Sequence, residues 1–312
     1  MMVLITGATS FVGRAVMQRL AADGCPMACL LRPAQREQRL PSGIPVSIVS
    51  AGMRDMPALR AAMQGVTAIV HLTGEEDIDY GNNLQNHVED TANLLAAAKE
   101  ADVRRIVYLS RLGANRASAY PIYRAVGDVE VLISNSDLDY TILRAPIIYG
   151  EGDQFTTTLV MLAKMIPFVF PIPSAEKSCF QPLSVTDLAT CITATLERDD
   201  LVHKTIPLGG PEHFTFEQLV LEILKAAGVK RKLVSVRVPF VEWVVAIFEA
   251  LLPRNPTPYR WLDLLATGCA TDLLTIPRHF GFEPGRLSSN LDYLRLPRPW
   301  RRDFLHYIFT TD

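Results

Sequence analysis

Two glycines near the start of the chain have the spacing of a loop that binds phosphate groups. The apolar run from Val3 predicts a buried strand, and the small residues from Thr6 to Gly13 allow a tight turn into a helix. Such a loop directs backbone N–H groups and the positive end of the helix dipole at one point, where a pyrophosphate binds. Gly7 lets the chain turn, and Gly13 lets the helix lie close to the strand. Ser10 replaces the usual middle glycine, and its hydroxyl would either donate to the diphosphate or crowd it.

A cation at the end of the second predicted strand indicates which dinucleotide this loop would hold. An acidic residue there would bind a ribose 2′-hydroxyl and repel a 2′-phosphate. The chain has Arg32 at this position, and the first carboxylate after it belongs to Glu37. Arg32 therefore favours NADP(H) over NAD(H), although arginine at a strand end is also common in solvated loops. Arg36 and Arg39 would either assist Arg32 or solvate the loop.

Strands and helices must alternate through the first half of the chain to position the loop and the arginine. Near-continuously apolar strands between helices predict a doubly wound parallel α/β sheet of the Rossmann type, with its ligand crevice at the strand C-termini. After the first strand, the predicted strands are Pro26–Leu31, Val46–Val49, Ala68–Leu72, Arg105–Leu109 and Tyr140–Leu143. The predicted helices between them are Met56–Met63, Asn86–Ala101 and Tyr123–Asn135.

Length, charge and cysteine content narrow the function classes. A chain of 312 residues forms one large or two modest domains, and a net charge of -2 gives no reason to expect a nucleic acid partner. The 5 cysteines form no C-x-x-C pair and have no histidine at zinc-ligand spacing, so we predict a reducing compartment and no metal site. The first residues predict a strand rather than a signal peptide, and no apolar run is long enough to cross a bilayer. We therefore expect a cytoplasmic protein.

Several segments together resemble one family. These are TGATSFVG, LLRP, VTAIVHLTG, VRRIVYLSRLGA and LDYTILRAPIIYGEGD, which look like those of atypical short-chain dehydrogenase/reductases of the NmrA-like group. That group is similar in turn to the nucleotide-binding accessory subunit of respiratory complex I, to photosystem-assembly factors and to NAD-dependent epimerase/dehydratase-like proteins. The resemblance runs from Val3 to about Pro182, weakens through SVTDLA and LGGPEHFTFEQL, and fades after Pro239. It is specific for the superfamily and a poor guide to a substrate.

The resemblance implies which residues hold the cofactor. It gives the 2′-phosphate to Arg32, the diphosphate to the glycine loop, and the adenosine ribose and diphosphate to the residues after the fourth strand. The implied contacts are Gly7, Thr9, Ser10, Phe11, Val12, Gly13, Leu72, Thr73 and Gly74. The family's aspartate that meets the adenine amino group is replaced here by Gly52, and Asp55 lies too far along the loop to substitute for it. We therefore expect a weakened adenine contact and a lower cofactor affinity.

The catalytic positions of the family are changed more strongly. In the family a tyrosine four residues before a lysine gives and takes a proton, and the ammonium group lowers the phenol pKa and holds the nicotinamide ribose. Ser110, at the end of the fifth strand, matches the hydroxyl that would orient a substrate carbonyl or bind the ribose. The following segment matches the family without a gap from Glu130 through Arg144. That register puts Ile122 at the tyrosine position and Val126 at the lysine position.

A second register of the same helix stays open. It needs a two-residue insertion before Ser136, and it pairs Tyr120 with Arg124 at i and i+4, with Tyr123 beside them. Pro121 predicts that the helix begins only there, and we therefore favour the ungapped register. Neither register supplies a lysine, and arginine holds a ribose hydroxyl without releasing a proton at physiological pH. Ordinary packing at a helix start explains both tyrosines equally well.

Two histidines are further candidates for chemistry. His71 lies within an apolar strand, which is typical of a core histidine with satisfied hydrogen bonds. His87 lies at a helix start near the cleft and is a more distant candidate for a proton donor.

After residue 150 the regular alternation ends, which predicts a second, smaller lobe. We predict a cofactor domain over 1–149, to which 181–209 returns, and an interleaved substrate or partner lobe over 150–312. The run Ile166–Pro173 predicts a loop in a cleft wall, because it contains three prolines. The later predicted elements are a helix over Ser184–Leu196, a strand over Lys204–Leu208 and a helix from the capping box at Thr215 to about Ala227.

Two segments of this lobe point to either packing or a partner. Phe240–Leu252 is a nearly all-apolar helix candidate, too short to span a membrane, that would pack on the lobe or lie against a partner or a membrane surface. The tail Arg295–Phe309 alternates cations with aromatic rings, a pattern found at lipid interfaces and equally compatible with packing on its own domain.

Two functional hypotheses follow. The first is an NADP(H)-dependent reductase of an apolar carbonyl, enone or quinone-like substrate, held between Ser110, Tyr120, Tyr123 and the loop Ile147–Pro173. The second is a non-catalytic NAD(P)-binding accessory, assembly or redox-sensing protein. The missing lysine favours the second hypothesis, while Ser110 and the apolar loop favour the first. Hydride transfer needs no protein acid where water or the substrate supplies the proton, so we favour the reductase.

Overall fold

A computed structural model describes residues 1–32, 40–72, 83–173, 178–237, 239, 270–295 and 300. It divides into two compact units. The first unit comprises Met1–Ala145, Val185–Leu208 and Thr275–Phe282. The second comprises Pro146–Ser184, Gly209–Leu274 and Glu283–Asp312.

The strands and helices are numbered along the chain. The strands are β1 Val3–Thr6, β2 Met27–Leu31, β3 Ser47–Ser50, β4 Ala68–Leu72, β5 Arg105–Arg111, β6 Asp139–Ala145, β7 Ile148–Tyr149, β8 Val169–Pro173, β9 Leu183–Ser184, β10 Lys204–Pro207 and β11 Lys232–Val236. The helices are α1 Phe11–Ala22, α2 Met56–Ala62, α3 Asn83–Glu100, α4 Pro121–Ser134, α5 Phe155–Met165, α6 Val185–Leu196, α7 Phe216–Ala226 and α8 Thr275–Phe280.

The first unit contains a parallel sheet of 7 strands in the order β10-β6-β5-β4-β1-β2-β3. Every residue of β1, β2 and β4 is buried, because helices cover both faces of a doubly wound sheet. The edge strand β3 is mostly exposed. The predicted Rossmann-type α/β fold is confirmed. The strand order reverses between β1 and β4, so the switch point where such sheets bind ligands lies at the end of β1.

The second unit has its own apolar core, formed by α5, α7 and short strand pairs. Phe170, Phe180 and Ile223 are among its buried side chains. The predicted capping box begins α7, where Thr215 Oγ1 accepts from the Gln218 amide at 3.2 Å and the Gln218 side chain accepts from the Thr215 amide at 2.9 Å. Both pairs of strands, β7 with β9 and β8 with β11, are parallel.

A buried carboxylate fixes the turn that precedes α5. Asp153 accepts hydrogen bonds from the amides of Gly150 and Thr156, at 3.0 and 2.6 Å, and from the hydroxyl of Tyr293 at 2.7 Å. Burial raises the pKa of Asp153, while these hydrogen bonds lower it. The network joins the segment that contains Tyr293 to the start of α5 within the second unit.

The prediction of a loop over Ile166–Pro173 is wrong from Val169 onward, because Val169–Pro173 is the strand β8. In the described residues β8 pairs with β11 along one edge only. Proline fits at a strand edge that needs no amide donors, so Pro171 and Pro173 do not prevent pairing.

Some predictions fall on residues outside the described ranges. These residues are Arg36, Arg39, Thr73, Gly74, Phe240–Leu252 and, apart from residues 295 and 300, the tail Arg295–Phe309. Among the helices that are described, none combines the length and hydropathy needed to cross a bilayer.

Candidate functional site

The glycine loop joins β1 to α1 at the C-terminal end of the sheet. Gly7 has a φ of +71°, a conformation that L side chains rarely adopt, and a Cβ there would lie 2.5 Å from the carbonyl oxygen of Leu72. A Cβ on Gly13 would lie 2.2 Å from the carbonyl oxygen of Gly7. Any side chain at Gly13 would therefore push α1 away from β1. Gly7 thus forms the turn, and Gly13 allows the close packing of α1 on β1, which are the two roles predicted for them.

Ser10 caps the helix that follows the loop. Its Oγ accepts a hydrogen bond from the Gly13 amide at 3.0 Å, and its own amide donates to the carbonyl oxygen of Gly7 at 3.0 Å. The capping bond uses a lone pair of the serine oxygen, so the hydroxyl hydrogen can still be donated to a phosphate. The first turn of α1 contains no acidic side chain that would neutralise the positive end of the helix dipole. The geometry suits an anion at this helix terminus.

The other residues assigned to the diphosphate loop lie at the same helix start. Thr9 is buried, and its carbonyl oxygen accepts a hydrogen bond from Arg14 at 2.8 Å, which holds the loop against α1. Phe11 and Val12 are the first two residues of α1, and each is partly exposed.

A cleft opens beside this loop, where the strand order reverses. Three predicted cofactor residues, Gly7, Arg32 and Leu72, line it together. The other lining residues are Thr6, Leu30, Ala51, Met53, His71, His87 and Asp90. The cleft thus brings together the C-terminal ends of β1, β2 and β4, which is where a doubly wound sheet holds a dinucleotide.

A carboxylate that the sequence did not reveal lies beside Arg32. Asp90 on α3 has one oxygen 3.9 Å from a guanidinium nitrogen of Arg32 and the other 4.0 Å from Nε of Arg54. Burial raises the pKa of Asp90, and the two guanidinium groups lower it. Arg54 also donates to Glu89 at 2.9 Å. A 2′-phosphate on Arg32 would therefore compete with a carboxylate that is already there.

Apolar side chains occupy the part of the cleft where the family's adenine-binding aspartate is missing. Ala51 and Met53, on either side of Gly52, are buried and line the cleft. Asp55 caps α2 by accepting a hydrogen bond from the Ala58 amide at 3.1 Å. Since Asp55 has this structural role, the loop offers an adenine ring an apolar contact and no aspartate acceptor.

The buried His71 and the half-buried His87 form the polar floor of the cleft. The ring nitrogens of His71 lie 2.7 Å from Thr6 Oγ1 and 3.1 Å from Thr91 Oγ1. The His71 ring stacks with the His87 ring and with the Tyr108 ring, with centroids 6.0 and 5.4 Å away. Burial lowers the pKa of His71 to about 3 and that of His87 to about 4. His71 is therefore a neutral core histidine with both nitrogens satisfied, as the sequence indicated, and His87 is a poor proton donor at neutral pH.

Ser110 is buried and hydrogen-bonded in a network with two charged side chains. Its hydroxyl donates to Glu130 Oε1 at 2.5 Å, and Arg144 donates to both oxygens of Glu130, at 2.8 and 2.5 Å. The pairing with Glu130 raises the pKa of Arg144, while burial lowers it. Because the Ser110 hydroxyl donates its hydrogen bond to the carboxylate, its oxygen can accept a hydrogen bond from a ligand but cannot donate one. The predicted contact of Ser110 with a substrate or a ribose stays a prediction.

The residues of this network stand out in the sequence, but their contact depends on the tertiary structure. Glu130 on α4 and Arg144 on β6 are the two ends of the ungapped match. Ser110 and Arg144 are directly paired across β5 and β6. Helical position and strand register together place the three side chains side by side, and neither was available from the residues alone.

Three other candidates lie at the beginning of α4. Tyr120 is its N-cap, and the helix begins at Pro121. Tyr123 is buried, and its ring meets that of Tyr120 edge-on, with centroids 6.2 Å apart. Arg124 is exposed, and its amide donates to the carbonyl oxygen of Tyr120 at 3.2 Å. Tyr120 therefore lies just before the helix, and the predicted helix start at Pro121 is confirmed.

The residues at the family's tyrosine and lysine positions in the ungapped register are core residues. Ile122 and Val126 are 2% and 1% exposed and belong to the main apolar core of the first unit. Together with Glu130 they follow one another at i, i+4 and i+8 on one helix face. In this register the face contributes packing and one buried carboxylate, with no phenol and no ammonium group.

Comparison with known proteins gives this arrangement a context. A sequence family described as NAD(P)H-binding matches residues 7–167, just over half of the chain. One relative is the mitochondrial NADH dehydrogenase [ubiquinone] 1 alpha subcomplex subunit 9 of Arabidopsis thaliana. It is 26% identical over 264 residues, which cover 81% of this chain and 65% of that protein. The chain thus spans slightly less than two thirds of this relative.

Two solved structures have the same fold. The NADPH-dependent quinone oxidoreductase QOR2 of Escherichia coli, in complex with NADPH, has a TM-score of 0.72 at 22% identity, over 94% of this chain and 99% of that one. The triphenylmethane reductase of Citrobacter sp., in complex with NADP(H), has a TM-score of 0.75 at 20% identity, over 94% of this chain and 100% of that one. At these identities the likeness establishes the fold.

Proposed function

This chain belongs to the NAD(P)H-binding family, and we propose that it is a reductase that uses NADPH to reduce an apolar carbonyl, enone or quinone-like substrate. The family assignment agrees with the predicted resemblance to NmrA-like atypical short-chain dehydrogenase/reductases, which is confirmed. The observation that carries the proposal is the cleft in which Gly7, Arg32 and Leu72 meet.

The cleft residues fit a dinucleotide phosphate. Because Gly13 has no Cβ, α1 can pack closely against β1. The start of α1 directs backbone N–H groups at an anion, and its first turn has no acidic side chain to compete for them. Arg32, with 46% of its side chain exposed at the cleft, is suited to bind a 2′-phosphate. When bound, NADPH would supply the hydride.

The family's usual mechanism needs a proton donor, and in the ungapped register this chain does not supply one. The ungapped register leaves Ile122 and Val126 where the family has its tyrosine and lysine, and both are core residues. The Ser110 hydroxyl donates its hydrogen bond to Glu130, so its oxygen can only accept from a ligand. A substrate whose reduced form takes its proton from water needs none of these groups. The named activities of the two solved neighbours, quinone and triphenylmethane reduction, are of this reductive class.

The test has two stages. Titration of the protein with NADPH and NADH measures cofactor binding, and mixing of the NADPH complex with quinones, enones and aldehydes measures oxidation at the nicotinamide absorbance. We expect NADPH to bind more tightly than NADH and at least one quinone or enone to oxidise it with stoichiometric product. NADPH binding with no oxidation by any of these acceptors would contradict the reductase proposal.

A second candidate function is supported by one specific observation. In the ungapped register, core residues fill the positions that carry the family's proton transfer, so this candidate has a cofactor cleft without the catalytic pair. Such a protein would bind NADPH as a structural or redox-sensing ligand, and one relative is by name a subunit of NADH dehydrogenase. For this candidate we expect NADPH to raise the melting temperature and to stay unoxidised in the acceptor assay.

A further inference from the structure

An aromatic side chain in the second unit projects almost fully into solvent. Phe168 is 85% exposed and has a φ of +64°, which is rare for a residue with a bulky side chain. The Val169 amide donates to the carbonyl oxygen of Pro167 at 2.7 Å and closes a three-residue turn around it. A γ-turn with a positive φ is strained, and strained non-glycine residues are concentrated at active sites and binding sites.

Neighbouring contacts hold this turn firmly. Nε of Arg231 donates to the carbonyl oxygens of Ala163 and Ile166, at 2.9 and 2.8 Å, and so caps the end of α5. The Lys232 amide donates to the carbonyl oxygen of Phe168 at 3.0 Å. The exposed ring is thus held at the end of the small β8–β11 sheet.

Other apolar side chains are exposed around it. Within the described residues 9 large hydrophobic side chains are classed as exposed, and the following belong to this region: Met165, Phe168, Val169, Leu221 and Val234. On the outer face of the sheet, Val169 is paired with Lys232, and Pro171 with Val234. We call these five exposed side chains, with the cations described next, the basic apolar surface. Exposed apolar groups gathered in one place are typical of an interaction site.

The chain segment from α7 to just past β11, which contributes Leu221 and Val234, also contains a run of cations. They are Lys225, Lys230, Arg231, Lys232 and Arg237, and no Asp or Glu occurs between Glu222 and Glu242. Four of them line a depression whose floor includes the buried Leu224 and Val229 and whose rim includes Leu221. Lys225 pairs with Glu222 at 3.6 Å. Lys230 and Lys232 are exposed and form no ion pair within the described residues, although the whole chain has a net charge of -2.

We propose that the basic apolar surface binds the headgroup region of a bilayer that contains anionic lipids. Lysine side chains hold their charge at lipid phosphates while their methylene groups cover apolar surface, and an aromatic ring at a turn inserts between headgroups. An acidic protein would match the cations, but it would leave the 85% exposed Phe168 ring without an apolar site unless it also provided a pocket. A bilayer supplies both the charge and the apolar layer. This surface is independent of the proposed reductase activity.

Vesicle co-sedimentation of the full chain tests the proposal. We expect binding to mixed phosphatidylcholine–phosphatidylglycerol vesicles, weak binding to phosphatidylcholine alone, and a decrease with added salt because surface potentials are screened. Phe168→Ala should weaken binding about tenfold or more, the effect of removing one inserted aromatic side chain. Lys230→Glu with Lys232→Glu should weaken it more, since each basic side chain near an anionic surface contributes about fivefold.

Matched variants separate a lipid contact from a loss of folding. Lys230→Arg with Lys232→Arg keeps the charge and should bind normally. Ile48→Ala removes an exposed side chain of β3 in the first unit and should leave binding unchanged. Equal binding by the wild type and the Phe168→Ala variant, with both folded by circular dichroism, would overturn the proposal. Retention on immobilised polyglutamate with no binding to phosphatidylglycerol vesicles would also overturn it and would point to an acidic protein.

Discussion

Replacement of Arg32 by alanine is expected to remove the preference for NADPH. A charge-assisted hydrogen bond to a 2′-phosphate contributes about 1.5 to 3 kcal/mol. Arg32 already faces Asp90 at 3.9 Å, and with side-chain exposures of 46% and 17% this pair is worth about 1 kcal/mol or less. The net contribution of Arg32 to the binding free energy of NADPH is the difference between these two energies, about 0.5 to 3 kcal/mol. This corresponds to roughly twofold to a hundredfold in NADPH affinity.

The assay is a titration of each variant with NADPH and with NADH. For Arg32→Ala we expect a weaker NADPH complex and an NADH affinity that stays within about twofold, since NADH has no group for Arg32 to bind. Asp90→Asn removes the competing charge, so it should strengthen NADPH binding up to about fivefold and change NADH binding less. The matched control is Arg116→Ala, an exposed arginine that pairs with Asp128. Equal affinities for both cofactors, unchanged in Arg32→Ala, would remove Arg32 from the site.

Three further expectations concern the loop, the chemistry and acid stability. Gly13→Val should abolish NADPH binding, because its Cβ would lie 2.2 Å from a carbonyl oxygen. Ser10→Gly should be tolerated, because glycine at this helix cap costs only a few tenths of a kcal/mol. Loss of NADPH binding in Ser10→Gly would instead show that the serine hydroxyl is a ligand. Any NADPH oxidation should survive Tyr120→Phe within about tenfold, and a thousandfold loss in a folded, NADPH-binding variant would establish Tyr120 as the proton donor. The lowered pKa values of His71 and His87 mean that the folded state keeps both rings neutral, whereas the unfolded chain protonates them below about pH 6.5. The free energy of unfolding is therefore highest above about pH 6.5 and decreases as the pH falls toward 4. The slope is about 1.4 kcal/mol per pH unit for each histidine, and urea unfolding at pH 7 and 5 with no such loss would contradict it.

Local patterns in the sequence predicted most of the sheet. The strands β1, β2 and β4 are continuous apolar runs because both faces of each are covered, and that burial is directly visible in composition. The strand β8 escaped prediction because its prolines are usually loop residues, and only its single-sided pairing with β11 explains them. A pattern indicates burial well and an edge position poorly.

In the candidate site, too, some residues could be found from local sequence patterns and others only from tertiary packing. The spacing from Gly7 to Gly13 and the place of Arg32 after β2 are local signals, and the sequence identified them. Asp90 is far from Arg32 along the chain, and the two side chains approach each other only through the packing of α3 in the first unit. Charge pairs made by tertiary packing leave no periodic trace in a sequence, so the competition for Arg32 could be found only in the structure.

The Ser110 network bears on the kind of substrate that the proposed reductase would take. In the family a phenol and an ammonium group protonate the new alkoxide, and here Ile122 and Val126 fill those positions in the ungapped register. Glu130 pairs with Arg144 and accepts a hydrogen bond from the Ser110 hydroxyl, so the Ser110 hydrogen is directed at the carboxylate rather than at a reduced product. A simple ketone becomes a strongly basic alkoxide on hydride addition and requires an acid at that moment. A quinone or enone becomes a delocalised anion that water protonates afterwards. Among acceptors in the assay, quinones and enones should therefore be reduced well before aldehydes and ketones.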